Sequence, residues 1–173
     1  MPDHTQEFIT EEEAREIAMD LVAKNQDPDD PVFSKWRGSI AGTPLLVRTL
    51  SQDPSYWIVP LKRDELPTGF IRILGNGQVI HMGIVPRDPG SLPESRGITG
   101  MTREEAERRV GERLSLQPGE TLSGPVFVHD GPIGREAWLV VVSSRAAPAR
   151  WLFVTPSFVY ERPAGTTLEE GRE

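Results

Sequence analysis

Two stretches of this chain carry the same spacing of prolines and large aromatic residues. Pro44 to Trp57 is thirteen positions, and so is Pro125 to Trp138. Trp57 to Phe70 is thirteen, and so is Trp138 to Trp151. A constant offset of 81 therefore lays Gly124–Val159 over Thr43–Gln78. Both stretches alternate apolar and polar residues between turn-forming clusters, the pattern of short, half-buried strands. The first predicts strands over Leu45 to Leu50, Tyr56 to Leu61, Phe70 to Leu74 and Val79 to Ile84. Gly75-Asn76-Gly77 forms the hairpin turn between the last two, because Asn-Gly supplies positive φ cheaply. Pro60 cannot donate to a ladder and is expected at an edge or a bulge. The second stretch predicts strands over Val126 to His129, Ala137 to Ser143, Trp151 to Thr155 and Phe158 to Arg162.

A helix signal precedes each stretch. Thr10 with Glu13 three residues later is a capping box, and Ile9 can staple onto Ala14. Three acidic residues in the first turn suit the positive end of the helix dipole. Ala14, Ile17, Ala18, Leu21 and Val22 then form one apolar face. Thr102 and Glu105 repeat the box, with Met101 in the place of Ile9, and MTREEAERR mirrors ITEEEAREI at an offset of 92. The second helix differs in its stripe: Arg109 and Arg113 stand where the first has Ile17 and Leu21. Burying two guanidinium groups unpaired is costly. They are expected first to snorkel to solvent, next to pair with acids, and last to mark a partner surface.

These elements predict an α+β chain of two tandem repeats. Each is a helix packed on a roughly four-stranded antiparallel sheet. The expected boundaries are 1–86 for the first repeat, 87–100 for a Pro- and Gly-rich linker, 101–163 for the second repeat and 164–173 for a polar tail. A single continuous sheet shared by both repeats is the runner-up.

Composition narrows the function. A net charge of −7 without a basic block argues against a phosphate-backbone partner. The absence of cysteine removes disulfides, thiolate metal sites and a thiol nucleophile. The acidic N-terminus does not read as a secretory signal, and no apolar run approaches the ~20 residues of a membrane helix. A cytoplasmic setting is expected, with no membrane or nucleic-acid partner.

Catalytic and metal-binding patterns are sparse. His4, His81 and His129 lack the HxxxH or HExxH spacing of a zinc site, although a set of His81, His129, Asp130 and Glu136 can be drawn. The carboxylates of QDPDDP (26–31) lack the glycine and glutamate of a calcium loop and read as a solvated helix exit. No G-x-S-x-G elbow accompanies Ser143 and Ser144, and capping accounts for the acidic pairs at the helix starts. Neither a cofactor nor a catalytic residue is expected. Trp57, Trp138 and Trp151 read as core. Trp36, flanked by Lys35 and Arg37, reads as a lid over the first sheet or, less favoured, as a partner anchor, since hot spots favour Trp and Arg. The candidate partner-binding residues are Trp36, Arg37, Arg109 and Arg113.

Three segments carry a resemblance to a known family. Thr10-Glu11-Glu12-Glu13-Ala14-Arg15-Glu16-Ile17-Ala18 matches a TxEEAxxIA helix. Tyr56-Trp57-Ile58-Val59 matches the start of a YxVxV strand, and Asn76-Gly77-Gln78-Val79 a closing G-x-V turn. Together they resemble the PepSY-like domains, over most of the first repeat and more weakly over the second, which has Pro156-Ser157 where the glycine turn belongs. The resemblance implies a PepSY/cystatin-like fold and a non-enzymatic module that binds or inhibits other proteins. Its members are often extracytoplasmic, and the missing signal sequence departs from that. The two alternatives are an immunity-type protein neutralising a basic toxin, motivated by the acidic balance, and a small-ligand-binding or hydrolytic pocket in the sheet concavity.

Overall fold

A computed structural model describes residues 7–25, 27–31, 33–84 and 101–165. His4, the expected linker 87–100 and the tail beyond residue 165 lie outside the described residues. The elements run α1 (Glu11–Lys24), α2 (Phe33–Trp36), β1 (Ile40–Ala41), β2 (Leu45–Arg48), β3 (Pro54–Arg63), β4 (Leu66–Leu74) and β5 (Val79–Ile84). They continue with α3 (Arg103–Arg113), β6 (Glu120–His129), β7 (Glu136–Ser144), β8 (Arg150–Val154) and β9 (Val159–Pro163).

The fold expected from the sequence is overturned. The described strands do not form two helix-on-sheet repeats, each with its own four-stranded antiparallel sheet of PepSY/cystatin type. They form one nine-stranded mixed sheet in the order β5-β4-β3-β2-β6-β7-β8-β9, with β1 added onto β3. The overturning contact is the parallel pairing of β2 with β6, in which Arg48 stands opposite Val128.

By compactness the chain divides into two units, Met1–Val47 with Pro54–Ile98, and Arg48–Asp53 with Thr99–Glu173. Arg48 and Val128 both belong to the second.

In the first unit α1 begins at the expected box: Glu13 N donates to Thr10 Oγ1 at 3.2 Å and Thr10 N donates to the Glu13 carboxylate at 2.7 Å. The backbone donor of Thr10 holds the Glu13 carboxyl below its ordinary pKa. Ala14, Ala18 and Val22 are buried against Trp57, Val59, Leu61, Ile71 and Ile73, the inward residues of β3 and β4, while Ile17 and Leu21 are half-buried. Small residues on the helix stripe let it lie close to the sheet. Pro60 lies in β3, an inner strand, next to a bulge between Leu61 and Lys62. Phe33–Trp36 form the short helix α2, whose Phe33 N–H is capped by Asp30 Oδ1 at 2.8 Å. That bond gives one carboxylate of the QDPDDP loop a structural task. Trp36 closes the helix and is completely buried. Its indole lies so close to β4 that a Cβ on Gly69 would stand 2.2 Å from Nε1 and 2.5 Å from the Gly83 carbonyl oxygen. Only glycine permits that approach.

In the second unit Thr102 Oγ1 accepts from Glu105 N at 3.1 Å, and Ala106 and Val110 are the buried residues of α3. Val128, Ala137, Leu139 and Phe153 make a core against which Leu50, Val126, Val141, Trp151 and Tyr160 pack. No helix among the described residues is long and apolar enough to cross a membrane.

Candidate binding site

The second unit holds a cleft of about 440 Å³ lined by Asp130, Arg135, Glu136, Thr155, Phe158, Tyr160 and Arg162. It forms where two turns meet at one end of the sheet. The β6–β7 turn is closed by Asp130 N donating to Arg135 O at 2.8 Å and Arg135 N donating to Pro132 O at 3.2 Å. The β8–β9 turn is closed by Thr155 N donating to Phe158 O at 2.9 Å, while Thr155 Oγ1 donates to Phe158 O at 2.8 Å and accepts from Phe158 N at 3.1 Å.

Alternation along β9 puts Tyr160 and Arg162 on one face. Phe153 stands opposite Tyr160 on β8, so their rings stack with centroids 4.9 Å apart and planes 10° from parallel. The Arg162 guanidinium lies over the Phe153 ring, 4.7 Å from its centroid, a cation–π placement. These side chains converge on Asp130, which is 1% exposed. Tyr160 Oη donates to Asp130 Oδ2 at 2.6 Å, and Arg162 Nη2 donates to Asp130 Oδ1. Arg135 approaches Oδ2 at 3.8 Å, beyond hydrogen-bond reach, with its side chain 53% exposed. Arg162 Nε and Nη1 are buried without a hydrogen-bond partner. Burial, then the hydrogen bond to Asp130 and that group's charge, push the Tyr160 phenol above its ordinary pKa, so Tyr160 stays the donor.

Phe158, which lines the cleft, is 57% exposed; Ile133, in the β6–β7 turn, is 48% exposed. Phe158 leans on Tyr160 with ring centroids 5.6 Å apart. Chemically the arrangement combines an ion-paired floor, a stacked aromatic wall and a projecting apolar side chain. Asp130 accepts one bond on each oxygen, from Tyr160 and from Arg162. His129, at the end of β6, donates from Nδ1 to the Gly131 carbonyl at 2.5 Å, since a carbonyl only accepts.

The four sequence candidates do not gather here. Trp36 is buried under α2 and makes an edge-on contact with Phe33, 5.4 Å between centroids. Arg37 is exposed, and its carbonyl accepts from Arg63 Nη1 at 2.7 Å. Arg113 is exposed in the last turn of α3. Arg109 comes nearest the cleft: its Nη1 donates to Thr155 O at 2.9 Å and Pro156 O at 2.8 Å, bracing the turn that forms one wall. Of the drawn zinc set, Asp130 and Glu136 line the cleft, whereas His81 is exposed on β5 and stacks on Phe70 at 5.7 Å. Among the described residues no group of three or more His, Asp or Glu side chains is placed to hold a metal ion.

Sequence reasoning missed Tyr160, Arg162 and Phe158. Their links to Asp130 span 30 and 32 positions, and no short motif encodes such a separation. The usable signal was the pairing of an aromatic and an arginine at i and i+2 on the last strand.

Comparison with protein-family models, with curated proteins and with solved structures finds no match to this chain.

Proposed function

We propose that the chain is a non-enzymatic binding module, PepSY-like in kind and acting in the cytoplasm, whose contact site is the cleft of the second unit. The observation that carries this reading is the pair Ile133 and Phe158. They are two large apolar side chains, about half exposed, on the adjacent turns at this end of the sheet. Apolar side chains held out on self-bonded turns, around a polar floor, are what a partner's side chain can pack against without reordering the loops. The committed state of Asp130 supports binding over catalysis. A base must be free to take a proton, and this carboxylate already accepts from Tyr160 and Arg162.

Affinity capture from the native cytoplasmic fraction tests the reading, using the intact chain and an Ile133→Ser/Phe158→Ser variant whose fold is checked by thermal melting. The expected result is a protein retained by the intact chain and released by the variant. Identical retention by both would show that the contact lies elsewhere. The net charge of −7 supports the immunity-type alternative, in which the partner is strongly basic. Elution of that partner at raised salt would favour it.

A further inference from the structure

We propose that β5, the strand at one end of the sheet, pairs edge to edge and antiparallel with the β5 of a second copy of this chain. The proposal concerns the first unit alone and does not rest on the cleft.

Among the described strands β5 (Val79–Ile84) has a neighbour on one side only, β4. An edge strand of this kind is a template for pairing with another chain, and charge or proline ordinarily protects it. At the other end of the sheet β9 is protected: Glu161, Arg162 and Pro163 are three of its five residues. The six residues of β5 include neither a formal charge nor a proline. Its register against β4 shifts at its start, between Arg72 and Ile73 of β4, and leaves His81–Ile84 regular.

That regular stretch is apolar on both faces. Met82 and Ile84 share one face and are 37% and 38% exposed. On the other face Phe70 leans across from β4. A Cβ on Gly83 would stand 2.7 Å from Phe70 Cε1, and the Phe70 ring stacks on His81 with centroids 5.7 Å apart. A strand laid along this edge therefore buries apolar surface on both sides of the sheet.

The occupant must be extended and must have an unpaired edge of its own. It must also be uncharged, since a Lys, Arg, Asp or Glu set against Phe70 or Met82 loses water and gains no partner. The β5 of a second copy meets all three conditions, and it is already held in a sheet, so pairing orders little new chain. The net charge of −7 repels copies over the rest of the surface and leaves the uncharged strand as the place of contact. A two-fold axis at Met82 sets this residue opposite Met82 of the second copy and His81 opposite Gly83, so one strand supplies both halves of the interface.

The test is sedimentation equilibrium of the intact chain across a wide range of concentration. Met82→Lys/Ile84→Lys is the comparison, and thermal melting at low concentration checks its fold. The expected result is a mass that rises from monomer toward dimer, and a lysine variant that stays monomeric with an unchanged melting temperature. Because the chain has no cysteine, Met82→Cys gives a second readout that does not depend on the lysine variant. Facing residues of an antiparallel pair have Cα atoms about 4.5–5.5 Å apart, within the span of a disulfide. Under mild oxidation Met82→Cys should cross-link about ten-fold or more faster than Ile133→Cys, an exposed position in the other unit, because pairing raises the effective concentration of the thiols. A monomer at every concentration overturns the proposal. So does a dimer that the two lysines leave intact, or cross-linking at equal rates from the two positions. A segment of another protein held at this edge by a monomeric chain also overturns it, by assigning the strand to a different partner.

Discussion

The indole N–H of Trp57 donates to the backbone carbonyl of Ile9 at 3.0 Å, across 48 positions of sequence. Ile9 immediately precedes the cap of α1, so the bond ties the start of the helix to an inner strand. The same bond recurs in the second unit, where Trp138 Nε1 donates to Met101 O at 3.2 Å, just ahead of the cap of α3. Each tryptophan is nearly buried, at 9% and 8% exposure. Phenylalanine at either position keeps most of the packing and removes the donor. Trp57→Phe and Trp138→Phe should each cost about 1–3 kcal/mol in urea melts, the range for a buried acceptor left unpaired. Losses below about 0.5 kcal/mol would show that solvent replaces the bond.

Asp130→Asn leaves Arg162 buried beside a neutral amide. The expected loss is about 3–5 kcal/mol, as when one member of a buried pair is removed. Combining it with Arg162→Met should cost less than the two single changes added together, since the second removes the orphaned charge. Simple additivity in denaturant melts would show that the two groups are not coupled.

Tyr160 makes stability fall on the alkaline side. Its folded-state pKa is raised, first by burial and then by Asp130, above the value of about 10 for a free phenol. Below about pH 10 folded and unfolded chains hold this proton alike, and the contribution is fully present. As pH rises further the unfolded phenol ionises first and the stability is lost. Melting temperature should therefore drop more steeply above about pH 10 in the intact chain than in Tyr160→Phe. Parallel curves for the two would mean that Tyr160 titrates as a free phenol.

Arg109 and Arg113 follow different outcomes. Arg113 is exposed, as snorkelling predicts. Arg109 is 24% exposed, lies 3.9 Å from Glu105 on its own helix and hydrogen-bonds two carbonyls of the β8–β9 turn. Arg109→Ala should cost about 1.5–3 kcal/mol, the range for hydrogen bonds from a charged donor. Arg113→Ala should stay within about 0.5 kcal/mol. Because Thr155 lines the cleft, Arg109→Ala should also shift the Phe158 resonances, and an unmoved Phe158 would separate this brace from the site.

What the sequence determined by itself was local. Thr10 with Glu13, and Thr102, mark helix starts because a side chain three residues from its backbone partner can reach it whatever the rest of the chain does. Gly77 marks the β4–β5 turn because its φ of 84° is cheap only for glycine. The period-two alternation identified most strand positions, and Trp57 and Trp138 as core, because alternation is a property of the extended backbone.

What only the tertiary structure decided was every pairing between distant segments. Nothing in the alternation of Leu45–Arg48 tells whether its free edge takes a parallel strand, so the Arg48–Val128 register and the single mixed sheet were not legible. Trp36 reads from its neighbours as a lid or, less favoured, as an anchor, and its burial depends on a hole in β4 made by Gly69. Asp130 looks like an ordinary turn residue before Gly131. It becomes the floor of a cleft only because one later strand brings Tyr160 and Arg162, 30 and 32 residues on, to it. Side-chain chemistry and short-range geometry are written in the order of the residues, whereas which buried charge meets which donor is set by the sheet that carries them both.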